Sequence, residues 1–97
     1  MSLSDQSVVV AAKDQVSCDL GGEAAILNTK NGTYYGLDPV GAHIWKLVQA
    51  PLRVSQIRES VLQTYQVEAE RCGRDIVSLL ERLLAEGLIV ERDDVRL

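Results

Sequence analysis

An Asn-Gly pair between two strand-forming runs is the feature that most restricts the fold of this 97-residue chain. The run before it, residues 23–29, centres on Ala-Ala-Ile-Leu, and the run after it, residues 33–37, reads Thr-Tyr-Tyr-Gly-Leu. Asparagine and glycine both tolerate the positive φ of a two-residue type I′ turn, so Asn31 and Gly32 predict a tight β-hairpin. Two antiparallel neighbouring strands are therefore expected here.

Two further strands are predicted ahead of the hairpin. Residues 8–12 are a short run of valine and alanine, and residues 16–20 alternate apolar and polar side chains, as a half-buried strand does. The Gly-Gly pair at 21–22 separates that strand from the hairpin. The polar residues 1–7 are expected to be frayed.

Helical signals begin directly after the hairpin. Asp38 is a good N-cap and Pro39 suits the first helical position, so a helix is predicted from Pro39 to about residue 49. A second helix is expected over residues 55–66. A third, longer helix is expected from residue 68 to Gly87, which is a natural C-terminal cap, with a short extended segment at 88–90.

The order of these elements predicts the fold class. Strands followed by helices indicate an α+β fold, with an N-terminal three-stranded antiparallel sheet followed by three helices. The chain length predicts one domain over residues 1–97, with its core at about 8–90.

Composition argues against several classes of protein. The net charge of −4 is the wrong sign for neutralising nucleic-acid phosphates. No apolar run is long enough to span a bilayer, and no signal peptide is recognisable, so a cytoplasmic location is expected. Cys18 and Cys72 are too few for a disulfide scaffold and match no metal motif, which favours two free thiols in a reducing compartment.

Residues suited to catalysis are scarce. His43 is the one histidine, and it falls within the first predicted helix without a neighbouring ligand or nucleophile. A partly exposed helical side chain is the favoured interpretation, with a metal or base role as the alternative. No glycine-rich loop joins a strand to a helix, so phosphate binding is not indicated. We expect no enzymatic activity, no cofactor and no metal.

The second hairpin strand is a candidate binding edge. Residues 33–37 carry no charge and no proline, the features that normally protect a sheet edge. An extended peptide could add to this strand through main-chain hydrogen bonds, and Gly36 would allow close approach. A proline at Tyr35 is expected to remove one such bond. The alternative is that Tyr34 and Tyr35 only pack, one on the helices and one at the surface.

A winged-helix DNA reader is a second possibility, because three helices followed by an extended segment fit that arrangement. The third predicted helix carries several arginines, but Asp75, Glu81 and Glu86 share it. DNA binding is therefore ranked below peptide binding, and a plain structural subunit is a third possibility.

The segment from Gly32 to Trp45 resembles the PqqD-like family. So do Val-Ser-Gln-Ile at 54–57, Tyr-Gln-Val at 65–67 and the apolar pattern from Asp75 to Ile89. The resemblance implies a winged-helix-like fold of three strands and three helices. It implies a peptide-recognition element that binds the leader segment of a ribosomally made precursor peptide as an added strand.

The resemblance also implies a site and partners. The leader would lie between the third strand and the third helix, and the complex would serve a leader protease or another modifying enzyme. The stand-alone recognition protein of lasso-peptide pathways is the nearer likeness; the pyrroloquinoline quinone (PQQ) pathway, with a radical enzyme as partner, is the alternative. A homodimer through the open edge is possible. Carried over by position, the docking strand is Thr33, Tyr34, Tyr35, Gly36 and Leu37, and the helical wall is Arg71, Arg74, Asp75, Ser78 and Arg82.

Overall fold

The computed structural model of the chain describes residues 3–92. Within that range the chain forms six strands and three helices, in the order predicted for the helices and for the hairpin. The strands are β1 (Val8–Ala11), β2 (Gln15–Asp19), β3 (Ala24–Asn28), β4 (Tyr34–Leu37), β5 (Leu52–Arg53) and β6 (Ile89–Arg92), and the helices are α1 (Pro39–Leu47), α2 (Val54–Thr64) and α3 (Ala69–Ala85).

The predicted hairpin is the core of an antiparallel sheet in the order β2-β3-β4. Leu27 on the central strand lies opposite Val16 on β2 and Tyr34 on β4, and Ala24 lies opposite Leu37. This three-stranded sheet with three helices confirms the predicted α+β fold class. It leaves β4 at one edge of the sheet, beside the helices.

The hairpin loop differs from the two-residue turn that was predicted. Gly32 has a φ of 72°, but Asn31 has no positive φ, so a type I′ turn is absent. The Asn28 carbonyl accepts the Gly32 N–H at 2.8 Å, and Asn31 Oδ1 accepts the Thr33 N–H at 2.9 Å. These bonds support a longer loop over residues 29–32. In this loop the Asn31 side chain, and not a backbone carbonyl, accepts the Thr33 N–H.

The first strand, β1, belongs to a second sheet. β1 pairs with β5 on one side and β6 on the other, all antiparallel. This strand is therefore separate from the sheet that contains the hairpin. Its partners come from the segment before α2 and from the segment after α3, a long-range pairing that local sequence patterns do not reveal.

The ends of the helices confirm the capping signals in the sequence. The Asp38 carboxylate accepts the Gly41 N–H at 2.8 Å, and Pro39 occupies the first helical position of α1. At the end of α3, Gly87 has a φ of 74°, and the Leu88 N–H bonds to the Leu83 carbonyl at 2.9 Å. This is the Schellman arrangement, which satisfies carbonyls that the last helical turn leaves open.

Residues 3–7 are packed, contrary to the expectation that the first seven residues fray; residues 1 and 2 lie outside the described residues. Leu3 is 7% exposed and belongs to the hydrophobic core. Asp5 and Arg58 form an ion pair, and the Asp5 and Ser7 carbonyls accept the first N–H groups of α2. The segment therefore caps α2, whose N-cap residue, Arg53, makes no side-chain cap hydrogen bond.

The hydrophobic core joins both sheets to all three helices. α3 contributes its inward stripe, and β3 and β4 contribute the side chains that face it. Within residues 3–92, no helix is long and apolar enough to cross a membrane. The core members from α3, β3 and β4 are Cys72, Ile76, Leu80, Leu83, Ala24, Ile26 and Leu37.

Candidate functional site: a groove between the edge strand and the third helix

The outer edge of β4 has no partner strand within residues 3–92. The Thr33 carbonyl accepts the Asn28 N–H at 2.9 Å, which fixes the direction of the backbone groups along the strand. Because these groups alternate in an antiparallel pair, Tyr35 and Leu37 bond to β3. Tyr34 and Gly36 direct their N–H and C=O groups outward, at the open edge.

This register corrects the expected effect of a proline at Tyr35. The Tyr35 N–H belongs to the ladder with β3, opposite Ile26, so its loss would damage the sheet and would not remove a bond to a guest. The outward donors are those of Tyr34 and Gly36. A proline at one of these positions removes an edge donor and leaves the ladder with β3 intact.

Side chains on β4 divide between two faces. Tyr35 is half-buried and Leu37 is buried, and both point toward the helices. Tyr34 is 72% exposed on the opposite face, in a row with Leu27 and Val16. One tyrosine therefore packs and the other is at the surface, while the edge between them stays open.

A groove of about 1100 Å³ lies between β4 and α3. Its floor is apolar, and its walls are the edge strand on one side and a stripe of α3 on the other. The start of α1 and one residue of α2 close the bottom. The apolar lining residues are Leu37, Val40, Ile44, Val61, Val67, Cys72, Ile76 and Leu79.

Charged side chains line the rim of the groove along α3. Arg71 and Asp75 form an i,i+4 ion pair with 3.9 Å between Nε and Oδ2, and both are largely exposed. Glu68 and Glu86 lie toward the two ends of the helix. Arg82 lies over the Tyr35 ring, with its guanidinium carbon 5.3 Å from the ring centroid, so the two walls of the groove meet there.

One thiol lines the groove. Cys72 is 6% exposed, and burial raises the pKa of its thiol above the ordinary value, with Asp75 adding to the effect. The protonated form is a weak nucleophile, so this cysteine serves as an apolar lining group.

The structure places most of the predicted site residues at the groove. All five residues from Thr33 to Leu37 line it, as do Arg71, Asp75 and Arg82. Arg74 and Ser78 line a shallower depression on another face of α3, beside Asp5 and Arg58. These two residues of the predicted helical wall therefore lie outside the groove lining, and their role in peptide binding stays a prediction.

The apolar floor was missing from the prediction made for the site. Cys72, Ile76 and Leu79 follow one another at helical spacing in the sequence, so they share one face of α3. Gly41 and Ile44 on α1 also line the groove. The signal that would have found the α3 part of the floor is the helical spacing of Cys72, Ile76 and Leu79.

The one histidine lies outside the groove lining. His43 Nε2 and Ser60 Oγ are 3.0 Å apart between α1 and α2, and the Tyr65 ring packs edge-on against the imidazole. This hydrogen bond joins two packed helices. Within residues 3–92, no group of three or more histidine, cysteine or acidic side chains is arranged to hold a metal ion.

Comparison with known proteins gives matches that cover most of the chain. The solved structure of TbiB1 in complex with the TbiA(beta) leader peptide is 28% identical, with a TM-score of 0.76, over 90% of this chain and 98% of that one. A lasso peptide synthetase B1 complexed with the leader peptide is 18% identical and shares the fold, with a TM-score of 0.74 over 84% and 96% of the two chains.

No curated protein sequence matches this chain. The sequence profile described as coenzyme PQQ synthesis protein D matches residues 23–89, which include the hairpin, the three helices and the whole groove. The chain therefore belongs to the PqqD family.

Proposed function

We propose that this chain is a non-catalytic binding module that captures the leader segment of a ribosomally made precursor peptide. The leader adds to β4 as an antiparallel strand and lies in the groove against α3. Two solved structures that share the fold are complexes with leader peptides, which supports this assignment. The single observation that carries it is the open edge of β4 beside an apolar groove.

The geometry of β4 defines how a guest would bind. The outward N–H and C=O groups of Tyr34 and Gly36 offer two donors and two acceptors to an antiparallel guest. A typical hydrogen bond contributes a net stabilisation of about 0.5–1.5 kcal/mol, so the backbone alone gives weak, sequence-independent affinity. Selectivity must come from the guest side chains that face α3.

The groove supplies that selectivity through burial. Every second side chain of the guest points toward Leu79 and Ile76, which line the apolar floor. Burying an apolar side chain there stabilises the complex by about 25 cal/mol per Å². We therefore expect guests with apolar residues at alternate positions along the bound segment.

Presentation to an enzyme is the proposed purpose of this binding. Holding the leader raises the effective concentration of the attached core peptide near a bound enzyme and needs no catalytic residue. We propose a leader protease of the lasso-peptide type as partner; another modifying enzyme, such as the radical enzyme of the PQQ pathway, is the alternative. The one core shared by both sheets supports action as a single domain, and we propose a cytoplasmic setting.

A display library tests the proposal. The library contains leader segments of ribosomal precursor peptides, together with shuffled versions of the same sequences, and it is sorted on the intact chain. Binders are then titrated by calorimetry against Gly36→Pro and Gly36→Ala. An added Cβ at Gly36 meets nothing within 4 Å, so the alanine variant controls for side-chain size while it keeps the N–H.

The expected result is enrichment of leaders over shuffled sequences, with binding about tenfold weaker for Gly36→Pro and nearly unchanged for Gly36→Ala. The absence of leader enrichment would overturn the proposal. So would equal affinity for the proline variant and the native chain, because the edge donor would then be irrelevant.

A further inference from the structure

Arg82 stands apart from the other charged groups of the groove. Its guanidinium carbon lies over the Tyr35 ring, 5.3 Å from the centroid, and within residues 3–92 it forms no ion pair. Arg71, by contrast, is paired with Asp75 along the same helix, and Arg58 is paired with Asp5. Arg82 is therefore the groove arginine that has no carboxylate within ion-pair distance among residues 3–92.

The position over the ring leaves this arginine exposed, with its N–H donors available to a ligand. The guanidinium is planar, and an aromatic ring contacts its flat face while the N–H donors point outward in the plane. Contact with Tyr35 also restricts the rotamers of a long side chain, which lowers the entropy lost when a ligand binds. The arrangement is a preoriented site for a carboxylate.

The register of β4 identifies which guest residue would reach that site. A guest that bonds to Tyr34 and Gly36 places one residue directly opposite Tyr35. That residue forms a non-hydrogen-bonded pair, in which side chains approach most closely, and it shares the face of Tyr35, toward α3. Its side chain therefore points at Arg82.

We propose that Arg82 selects an acidic side chain of the captured peptide at the position opposite Tyr35. This inference rests on the proposed function, because it assigns a specificity determinant within the same groove. The acid would accept hydrogen bonds from the outward edge of the guanidinium, and such charge-assisted bonds are stronger than neutral ones.

The charges around Arg82 confine this preference to one position. Glu86 lies one turn further along α3, and Asp75 lies two turns back, so an acid placed elsewhere along the wall meets like charge. The Asp75 carboxylate is engaged by Arg71. A single acidic position is thus expected, with no general preference for acidic guests.

The same leader library tests this inference when it is sorted in parallel on the native chain, Arg82→Gln and Arg74→Gln. Arg74 lies on the other face of α3 and is the matched control. Native and Arg74→Gln selections should enrich Asp or Glu at one position of the binding segment, and Arg82→Gln should lose that enrichment. Replacing the acid by its amide in one selected peptide should weaken binding about tenfold to the native chain.

The amide replacement should make no difference to Arg82→Gln, because the partner of the acid is already gone. The inference is overturned if no acidic position is enriched, or if Arg82→Gln enriches the same acid as the native chain. Failure of the proposed function itself looks different: Gly36→Pro would then retain the selected peptides, whatever residue they carry opposite Tyr35.

Discussion

Asn28 on β3 donates its side-chain amide to the carbonyl of Glu86 at the end of α3, with 2.7 Å between Nδ2 and O. Asn28 is 6% exposed, and its Oδ1 accepts the Lys30 N–H at 2.9 Å. The bond joins residues 58 positions apart in the chain and ties the hairpin to the far end of the groove. One buried amide thus helps to set the distance between β4 and α3.

Replacing Asn28 by alanine is expected to lower the free energy of unfolding by about 1–3 kcal/mol, because the Glu86 carbonyl and the loop lose a buried partner. Leader binding should weaken as well, since the spacing of the two walls is less fixed. Urea denaturation gives the stability change. Asn31→Ala, in the exposed loop, is the control and should cost clearly less; equal losses would argue against the role given to Asn28.

Two neighbouring residues on α3 give a paired test of the groove, because one lines it and the other does not. Leu79 lines the apolar floor, whereas its neighbour Ser78 lies on the other face. Leu79→Asp should weaken leader binding at least tenfold, because a carboxylate replaces apolar surface that the guest buries. Ser78→Asp should leave affinity within about twofold. Calorimetry measures the affinity of both variants. An equal loss of affinity in the two would indicate that the peptide does not bind in this groove.

Thiol reactivity tests the state of Cys72. Burial raises the pKa of this thiol, so at neutral pH it should react with a disulfide reagent far more slowly than Cys18, which is exposed. A bound leader should slow Cys72 further, because the guest covers the groove, and should leave Cys18 unchanged. A Cys72 that reacts as fast as Cys18 would contradict the burial described here.

The same shift carries a prediction for stability against pH. The folded state holds the Cys72 proton more tightly than the unfolded chain does, since the ordinary pKa of 9.0 is raised on folding. Its contribution is therefore complete below about pH 9 and is lost as the pH rises through the folded value. Cys72→Ala should remove this part of the alkaline destabilisation in a denaturation series.

The packed N-terminal segment predicts a stability effect where fraying would predict none. Leu3→Ser should lower the free energy of unfolding by about 2 kcal/mol, because a buried leucine side chain leaves the core. Gln6→Ala, at an exposed position of the same segment, should have almost no effect. Equal stability of Leu3→Ser and the native chain would instead support a frayed N-terminal segment.

Local signals in the sequence were enough to predict the parts of the fold that local bonds determine. Asp38 caps α1, Gly87 ends α3, and the hairpin lies between β3 and β4, because each of these depends on residues a few positions apart. The pairing of β1 with β5 and β6 depends on distant segments, and the sequence of residues 8–12 does not predict which segments these are.

The site was predictable on the strand side and less so on the helix side. Alternation along β4 is fixed by the geometry of a strand, so the uncharged edge could be recognised directly. The face of α3 depends on how the helix rotates against the core, and Arg74 and Ser78, which were predicted for the wall, line a depression on another face. The Asn28 link and the position of Arg82 over Tyr35 need three-dimensional contacts that no sequence spacing specifies.

Amide hydrogen exchange along β4, measured by NMR with and without a selected leader, tests the central claim most directly. We predict that the Tyr34 and Gly36 amides exchange rapidly in the unbound chain and slow at least tenfold in the complex, because the guest accepts their hydrogen bonds. The Tyr35 and Leu37 amides, bonded to β3, should be protected in both states. Protection of Tyr34 and Gly36 before binding, or its absence in the complex, would contradict strand addition at this edge.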